Sequence, residues 1–296
     1  MGHGHNGGGP ADHRTRHQRL RPVSQTRSEI GTLLRRHAVT PRKGLGQHFL
    51  ADRNLVAKMV DLAGDPARSR ALEIGPGTGT ITRALAEAGF AVTAYEIDER
   101  LRPVLKESLA GLDVDMRFQN AARLDMNEFG AGTDWVLVSN LPYRLGTSIL
   151  LELLQEAAGL GRCVVVAQRE VAERLTAGPG SKAYGLPSVI TALYGQARLE
   201  FRVPPQVFLP APKVDSAAVS IRRVAPPEPV RSLAVRIAAA AFRKRRKMVR
   251  SSLRGVLPAP AEEILASTGI DPTKRAEDLD HGAYLSIASA IPRTDQ

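Results

Sequence analysis

From Gly44 onward, short apolar runs alternate with stretches of helical periodicity, and this alternation limits the fold more than any other property of the chain. "ALEIG" (71–75) predicts a strand, "TITRALAEAG" (80–89) a helix stopped by Gly89, "AVTAYEID" (91–98) a second strand and "ERLRPVLKESL" a second helix. "VDMRFQN" reads as a third strand; "DWVLVSN" (134–140) and "RCVVVAQ" (162–168) are two more, separated by the helix "GTSILLELLQEA". Apolar strands alternating with helices require cover on both faces, which means an α/β fold with a mostly parallel central sheet. After Asp215, "SAAVSIRRV" alternates as an edge strand is expected to.

The ends of the chain have a different character. Residues 1–38 open with "MGHGHNGGGP" and continue polar and Arg-rich, so they are expected to form a disordered basic arm. "APPEPV" (225–230) is a proline-rich linker, and residues 225–296 are read as a small C-terminal helical domain beside a main domain at 39–224. With 296 residues, 43% of them hydrophobic, the chain can bury a large core. No run approaches the roughly 18 apolar residues of a membrane span, and no apolar signal core follows the charged start, so a cytoplasmic monomer without membrane contact is expected. The single cysteine, Cys163, lies in an apolar strand, which excludes a disulfide framework and a cysteine-rich metal site.

Charge supplies the first functional indication. Lys and Arg number 41 against 30 Asp and Glu, a net +11, and the excess is uneven. Residues 1–43 hold only Asp12 and Glu29 as acids, and Pro229 to Ala261 contains nine basic residues and no acidic one. A polyanionic partner fits this distribution. The densest run, "AFRKRRKMVR", places Arg243, Lys244, Arg245, Arg246, Lys247 and Arg250 within eight positions. It follows "RIAAAA" and is expected to continue that helix, with some basic side chains facing the body of the protein and others reaching outward, toward a polyanion.

The first strand runs into "EIGPGTGTIT", where Gly75, Gly77 and Gly79 occupy the strand-to-helix turn and let a ligand approach the backbone. The dinucleotide fingerprint needs a further glycine at position 80 or 82, and both are threonine, which disfavours a nicotinamide or flavin enzyme. Glu96 ends the second strand, where a carboxylate can accept both hydroxyls of a ribose or simply cap a helix. Asn120, after the third strand, is a turn residue or an acceptor for an adenine amine. S-adenosylmethionine suits such a site, having a nucleoside but no pyrophosphate.

The fourth strand ends in "VSNLPYRL" (138–145). An aromatic amine is a poor nucleophile because its lone pair is delocalised into the ring. If the Asn140 side-chain oxygen and the Leu141 carbonyl each accept one amine hydrogen, the nitrogen can turn tetrahedral and aim its lone pair at a methyl donor. Pro142 stiffens the turn, and Tyr143 offers a ring on which an extruded base can stack.

These motifs together resemble the ribosomal RNA adenine dimethyltransferases. The resemblance runs from about Lys43 to Ile287 through "GLGQHFL" (44–50), "LEIGPGTGTIT" (72–82), "AYEID" (94–98), "NLPY" (140–143), "QREVAERL" (168–175), "GSKAYG" (180–185), "FLPAPKVDS" (208–216), "AFRKRRKMVRSSL" (241–253) and "GIDPTKRAEDL" (269–279). It implies a Rossmann-like class I methyltransferase. The last two segments point within the family to the enzyme that modifies two adjacent adenosines near the 3′ end of 16S rRNA, acting on the immature small ribosomal subunit. The resemblance assigns cofactor contacts to His48, Leu50, Gly75, Glu96, Asn120 and Asn140, with Gly77 in the same turn. It also implies that Phe208, by composition a core aromatic, packs on the target base opposite Tyr143.

The sequence departs from the family pattern at His48 and Asn120, where Asn and Asp are usual, at Arg144, where Asn is usual, and at Leu186–Pro187. Three other functions fit parts of the pattern: a 23S rRNA adenine methyltransferase conferring macrolide resistance, a non-catalytic ribosome-assembly factor, and a small-molecule or protein methyltransferase. An intact "NLPY" opposes the second, and the basic C-terminal region opposes the third.

Overall fold

The computed structural model describes residue 1, residues 25–143 and residues 145–292. Most of the expected basic arm and Arg144 fall outside the described residues.

Seven strands form one sheet. β2 (Arg70–Ile74), β3 (Val92–Glu96), β4 (Val114–Phe118), β5 (Trp135–Asn140) and β6 (Leu160–Gln168) are parallel, while β9 (Ser216–Arg223) runs antiparallel to both of its neighbours, β6 and β7 (Gly195–Val203). The order is β4-β3-β2-β5-β6-β9-β7. Because β2 pairs with β3 on one side and β5 on the other, the strand order reverses there and a crevice opens beyond their carboxyl ends. A separate two-stranded ladder joins β1 (Phe49–Leu50) to β8 (Phe208–Leu209), pairing Leu50 with Phe208.

Strand alternation sends side chains to two apolar layers. Val136, Val138, Val164 and Val166 pack with α2 (Arg53–Ala63) and α3 (Thr80–Glu87). Leu72, Leu137, Cys163 and Val219 face the other way. There they meet α5 (Gly146–Glu156), α6 (Arg169–Leu175), α7 (Leu186–Tyr194) and the C-terminal helices α8 (Pro229–Arg243), α9 (Val249–Ser252), α10 (Ala261–Ser267) and α11 (His281–Ser289). The helical region beyond the linker therefore shares its core with the sheet. Pro187 lies in the first turn of α7, where a missing N–H costs no intrahelical bond, so this departure from the family pattern is accommodated.

Four expectations change. The arm does not run to residue 38, because Arg27–Arg36 form helix α1. Thr26 and Glu29 make a reciprocal capping box, and Ile30, Leu33 and Leu34 pack on Leu101, Val104 and Leu105 at and within α4 (Arg102–Ser108). β9 is not an edge strand, since β7, with its exposed polar residues, covers it. The basic run does not continue the α8 helix. α8 stops at Arg243; the Val249 N–H is taken by the Lys274 carbonyl at 2.6 Å, and Met248 bridges Arg275. Adjacent like charges also repel on a helix. Finally, none of the six basic side chains turns inward: all are exposed.

Arg223, at the end of β9, ties these layers together. Its guanidinium donates to the carbonyls of Leu153, Leu154 and Ala157 at the C-terminus of α5, and to Leu160 and Ala225. A cation there complements the helix dipole; the Leu153 and Ala157 carbonyls also accept the N–H groups of Ala157 and Leu160, so the guanidinium is a second donor to them.

Candidate active site

The crevice at the strand reversal holds a cavity of about 350 Å³, a volume typical of small-molecule sites. Its walls are segments 44–50, 73–78, 80–81, 95–97, 119–121 and 140–142, with Leu145 and Ile149. His48, Leu50, Gly75, Gly77, Glu96, Asn120, Asn140, Leu141 and Pro142 thus line one space although they come from five separate stretches of chain.

The glycine turn is shaped by the protein itself. Gly75 and Gly77 adopt φ of +72° and +61°, the left-handed region that disfavours a side chain. A Cβ on Gly77 would lie 2.6 Å from the Phe49 ring, and one on Gly75 would lie 3.3 Å from Cγ of Pro142. The first motif and the Asn-Leu-Pro turn thus close on the glycine turn from two sides.

Glu96 is 4% exposed, and its two carboxylate oxygens accept the N–H groups of Gly77 at 3.2 Å and Asp98 at 2.9 Å. Burial pushes its carboxyl above the usual range, against the lowering effect of those N–H donors. Each oxygen keeps acceptor capacity for a ribose hydroxyl. Asp98 receives Gln47 at 2.9 Å and Arg100 at 2.6 Å, and the Arg100 guanidinium holds its carboxyl low. The Asn120 side-chain oxygen accepts the Ala122 N–H at 3.0 Å and so caps the short turn Ala121–Arg123, leaving one lone pair toward the cavity side chains.

Asn140 has the most telling geometry. Its Nδ2 donates to the His48 carbonyl at 2.8 Å, which fixes the plane of the carboxamide. Its Oδ1 is buried without a hydrogen-bond partner. Leaving such an acceptor empty costs about 1–3 kcal/mol, a cost that an amine donor entering the cavity removes. Beside it, the Tyr143 hydroxyl meets Ser216 Oγ at 3.0 Å, and its ring stacks on His48 with centroids 5.3 Å apart. The His48 Nδ1 in turn contacts the Pro210 carbonyl at 2.7 Å.

Phe208 is not part of this wall. It is 0% exposed and packs with Val56, Met59 and Val203 in the apolar layer under α2, so no face is presented to a base. The pairing of Phe208 with Leu50 sets it on that side, and the core role that composition alone indicates is the one the structure shows. The basic residues Arg243 to Arg250 lie in the C-terminal layer, and none lines the cavity.

Sequence reasoning passed over Glu73. It is 1% exposed in β2, lines the cavity and accepts from Thr82 Oγ1 at 2.6 Å. Burial pushes its carboxyl up to about 8. The signal was present: a carboxyl in the middle of an apolar strand, "ALEI", is unusual enough to mark a site.

The ribosomal RNA adenine dimethylase family profile matches residues 38–292. This chain belongs to the ribosomal RNA adenine dimethylase family. Among its relatives in that family is the ribosomal RNA small subunit methyltransferase A of Nocardia farcinica, 41% identical over 278 residues, covering 88% of this chain and 94% of the relative. The protein of the same name from Geobacillus thermodenitrificans is 38% identical over 274 residues, with 88% and 94% covered. Among solved structures, that of the 23S rRNA methyltransferase ErmE matches with a TM-score of 0.63 at 26% identity, covering 82% of this chain and 99% of that one. The dimethylase fold expected from the motifs, a mostly parallel sheet of the Rossmann-like methyltransferase type with a helical C-terminal region, is the fold observed.

Proposed function

We propose that this chain transfers methyl groups from S-adenosylmethionine to the exocyclic amines of two adjacent adenosines near the 3′ end of 16S rRNA in the immature small subunit. The buried, unpartnered Oδ1 of Asn140 carries the reading, since it is an acceptor in want of a donor at the one place where an adenine amine has to be held. The small-subunit assignment is supported by relatives near 40% identity that carry that name, against 26% for the 23S enzyme.

The residues present fit the cofactor. Glu96 offers two acceptor oxygens for the ribose, the glycine turn offers close backbone approach, and 44–50 closes the other side. S-adenosylmethionine supplies an electrophilic methyl on its sulfonium sulfur. The protein's part is positional: the Asn140 Oδ1 and the Leu141 carbonyl take the two amine hydrogens and leave the nitrogen lone pair free. The His48 carbonyl prevents the carboxamide from rotating away. Tyr143, steadied by Ser216 on its hydroxyl and His48 on its ring, offers the stacking surface. The ammonium formed on the base is acidic enough to lose its proton to water, so no strong base is required. The exposed basic turn after α8 grips phosphates remote from the chemistry.

The deciding assay is methyl transfer from labelled S-adenosylmethionine to immature small subunits from cells lacking this modification, with the methylated nucleotides mapped by mass spectrometry. Label in two adjacent small-subunit adenosines is expected. Label confined to large-subunit rRNA would favour the 23S alternative, and binding without label would favour an assembly factor.

A further inference from the structure

We infer that Gln25 is a positioning residue for the cofactor turn, held there by helix α1. The inference rests on the S-adenosylmethionine reading of the cavity. The family profile begins at residue 38, so its match does not include Gln25 or α1. Gln25 is nonetheless buried, 9% exposed, and makes two contacts with the turn between β2 and α3. Its Nε2 donates to the Thr78 carbonyl at 3.0 Å, and its Oε1 accepts from Thr80 Oγ1 at 3.2 Å. Thr78 and Thr80 both line the cavity, whereas Gln25 does not, so the carboxamide holds the turn from outside the cavity.

The contact acts on the peptide that most needs holding. Gly79, with φ of +84°, follows Thr78 and donates its N–H to the Pro76 carbonyl at 2.8 Å. The Thr78–Gly79 peptide is therefore fixed at its carbonyl by Gln25 and at its N–H by Pro76. Thr78 is 1% exposed, so without Gln25 its carbonyl would lack a donor, and the glycine beside it would allow the peptide to turn.

α1 keeps Gln25 in register. Arg27 donates to the carbonyls of Gln206 and Phe208, both at 2.6 Å, while Arg36 and His37 pair with Glu107 of α4 at the far end. In between, the apolar face of α1 packs in one cluster with Phe49, the ring that fills the space over Gly77.

The test uses the full-length chain, with Gln25→Ala and Gln25→Met, the second filling the same space without either hydrogen bond. Calorimetric titration with S-adenosylmethionine should show Kd raised about three- to tenfold in both variants. The KM for immature subunits should stay close to wild type, and any fall in the ligand-free melting temperature caused by the stranded Thr78 carbonyl should leave the variants fully folded at the titration temperature. An unchanged Kd in Gln25→Met, or a raised subunit KM with unchanged Kd, would overturn the inference. If wild type itself bound no S-adenosylmethionine, the functional reading would fail instead.

Discussion

The carboxamide nitrogen of Asn140 is bound at 2.8 Å to the main-chain carbonyl of His48, across 92 residues of chain, while its oxygen is buried with no partner. A main-chain carbonyl is a dependable anchor because no substitution at residue 48 other than one that moves the backbone removes it. Replacing Asn140 with Ala should leave the fold intact and reduce methyl transfer about 100- to 1000-fold, the usual loss for one pre-organised polar contact of this kind. Activity within about threefold of wild type in a single-turnover assay would remove Asn140 from the role given to it.

Glu96 should control cofactor affinity. The Ala variant deprives two ribose hydroxyls of a charged acceptor, an interaction worth about 1.5–3 kcal/mol, so calorimetry should show Kd for S-adenosylmethionine raised about 10- to 100-fold. An unchanged Kd would move the ribose elsewhere.

Glu73 makes stability depend on pH. Its carboxyl is raised by burial from 4.5 unfolded to about 8 folded, so the neutral form is the one the fold prefers. That contribution is complete below about pH 4.5 and is lost as pH rises toward about 8. Glu73→Gln, which stays neutral, should therefore gain melting temperature relative to wild type as pH is raised from 5 to 8.5. A difference that does not vary with pH would contradict the assignment.

The basic turn should govern salt dependence. Arg245 is paired with Glu277, whereas no ion pair is found for Arg243, Arg246 or Lys247 among the described residues. Changing Arg243, Arg245, Arg246 and Lys247 together to Gln should lower the log–log salt slope of subunit binding by about 2 to 3, fewer than four full contacts because Arg245 is already neutralised. Affinity for S-adenosylmethionine should not change. The parental slope, or loss of cofactor binding, would end the proposed division of labour.

Arg223 should be a stability residue with no part in chemistry. Arg223→Met removes a cation from the end of α5, where the Leu153 and Ala157 carbonyls keep backbone donors, and should cost about 1–3 kcal/mol, lowering the melting temperature by roughly 2–12 °C. A thermal melt shifted by less than about 2 °C would show that water replaces the guanidinium without penalty.

The parallel strands β2, β3, β5 and β6 were legible in the sequence because strands covered on both faces are written as unbroken apolar runs. β7 was not, because an edge strand such as "GQARLEFRV" keeps water on much of its surface and reads as polar loop. α1 escaped notice for a similar reason: only Ile30, Leu33 and Leu34 are buried in an otherwise Arg-rich stretch, and the surface they cover belongs to a distant helix. At the cavity, residue types at strand ends marked Glu96 and Asn140 as candidates, and both line it, since chemistry selects the residue itself. Phe208 had two readings because a ring in a core and a ring against a base have the same letter; the register of β8 against β1 and its burial set it in the apolar layer. Gln25 was invisible, as its role is set by an approach of 53 residues in sequence to Thr78.

The shared apolar layer has a consequence for how the chain is made. Leu72, Leu137 and Val219 of the sheet and Tyr284 and Ile287 of α11 belong to one continuous cluster. Synthesis proceeds from the N-terminus, so each sheet strand leaves the ribosome well before the helix that completes its cover. Until α11 emerges, that face of the nascent chain stays open to water and to any holdase nearby. An enzyme that modifies ribosomes thus covers this face only once α11 has left the ribosome that makes it, and a chain cut before α11 is not a weaker catalyst but an unclosed one.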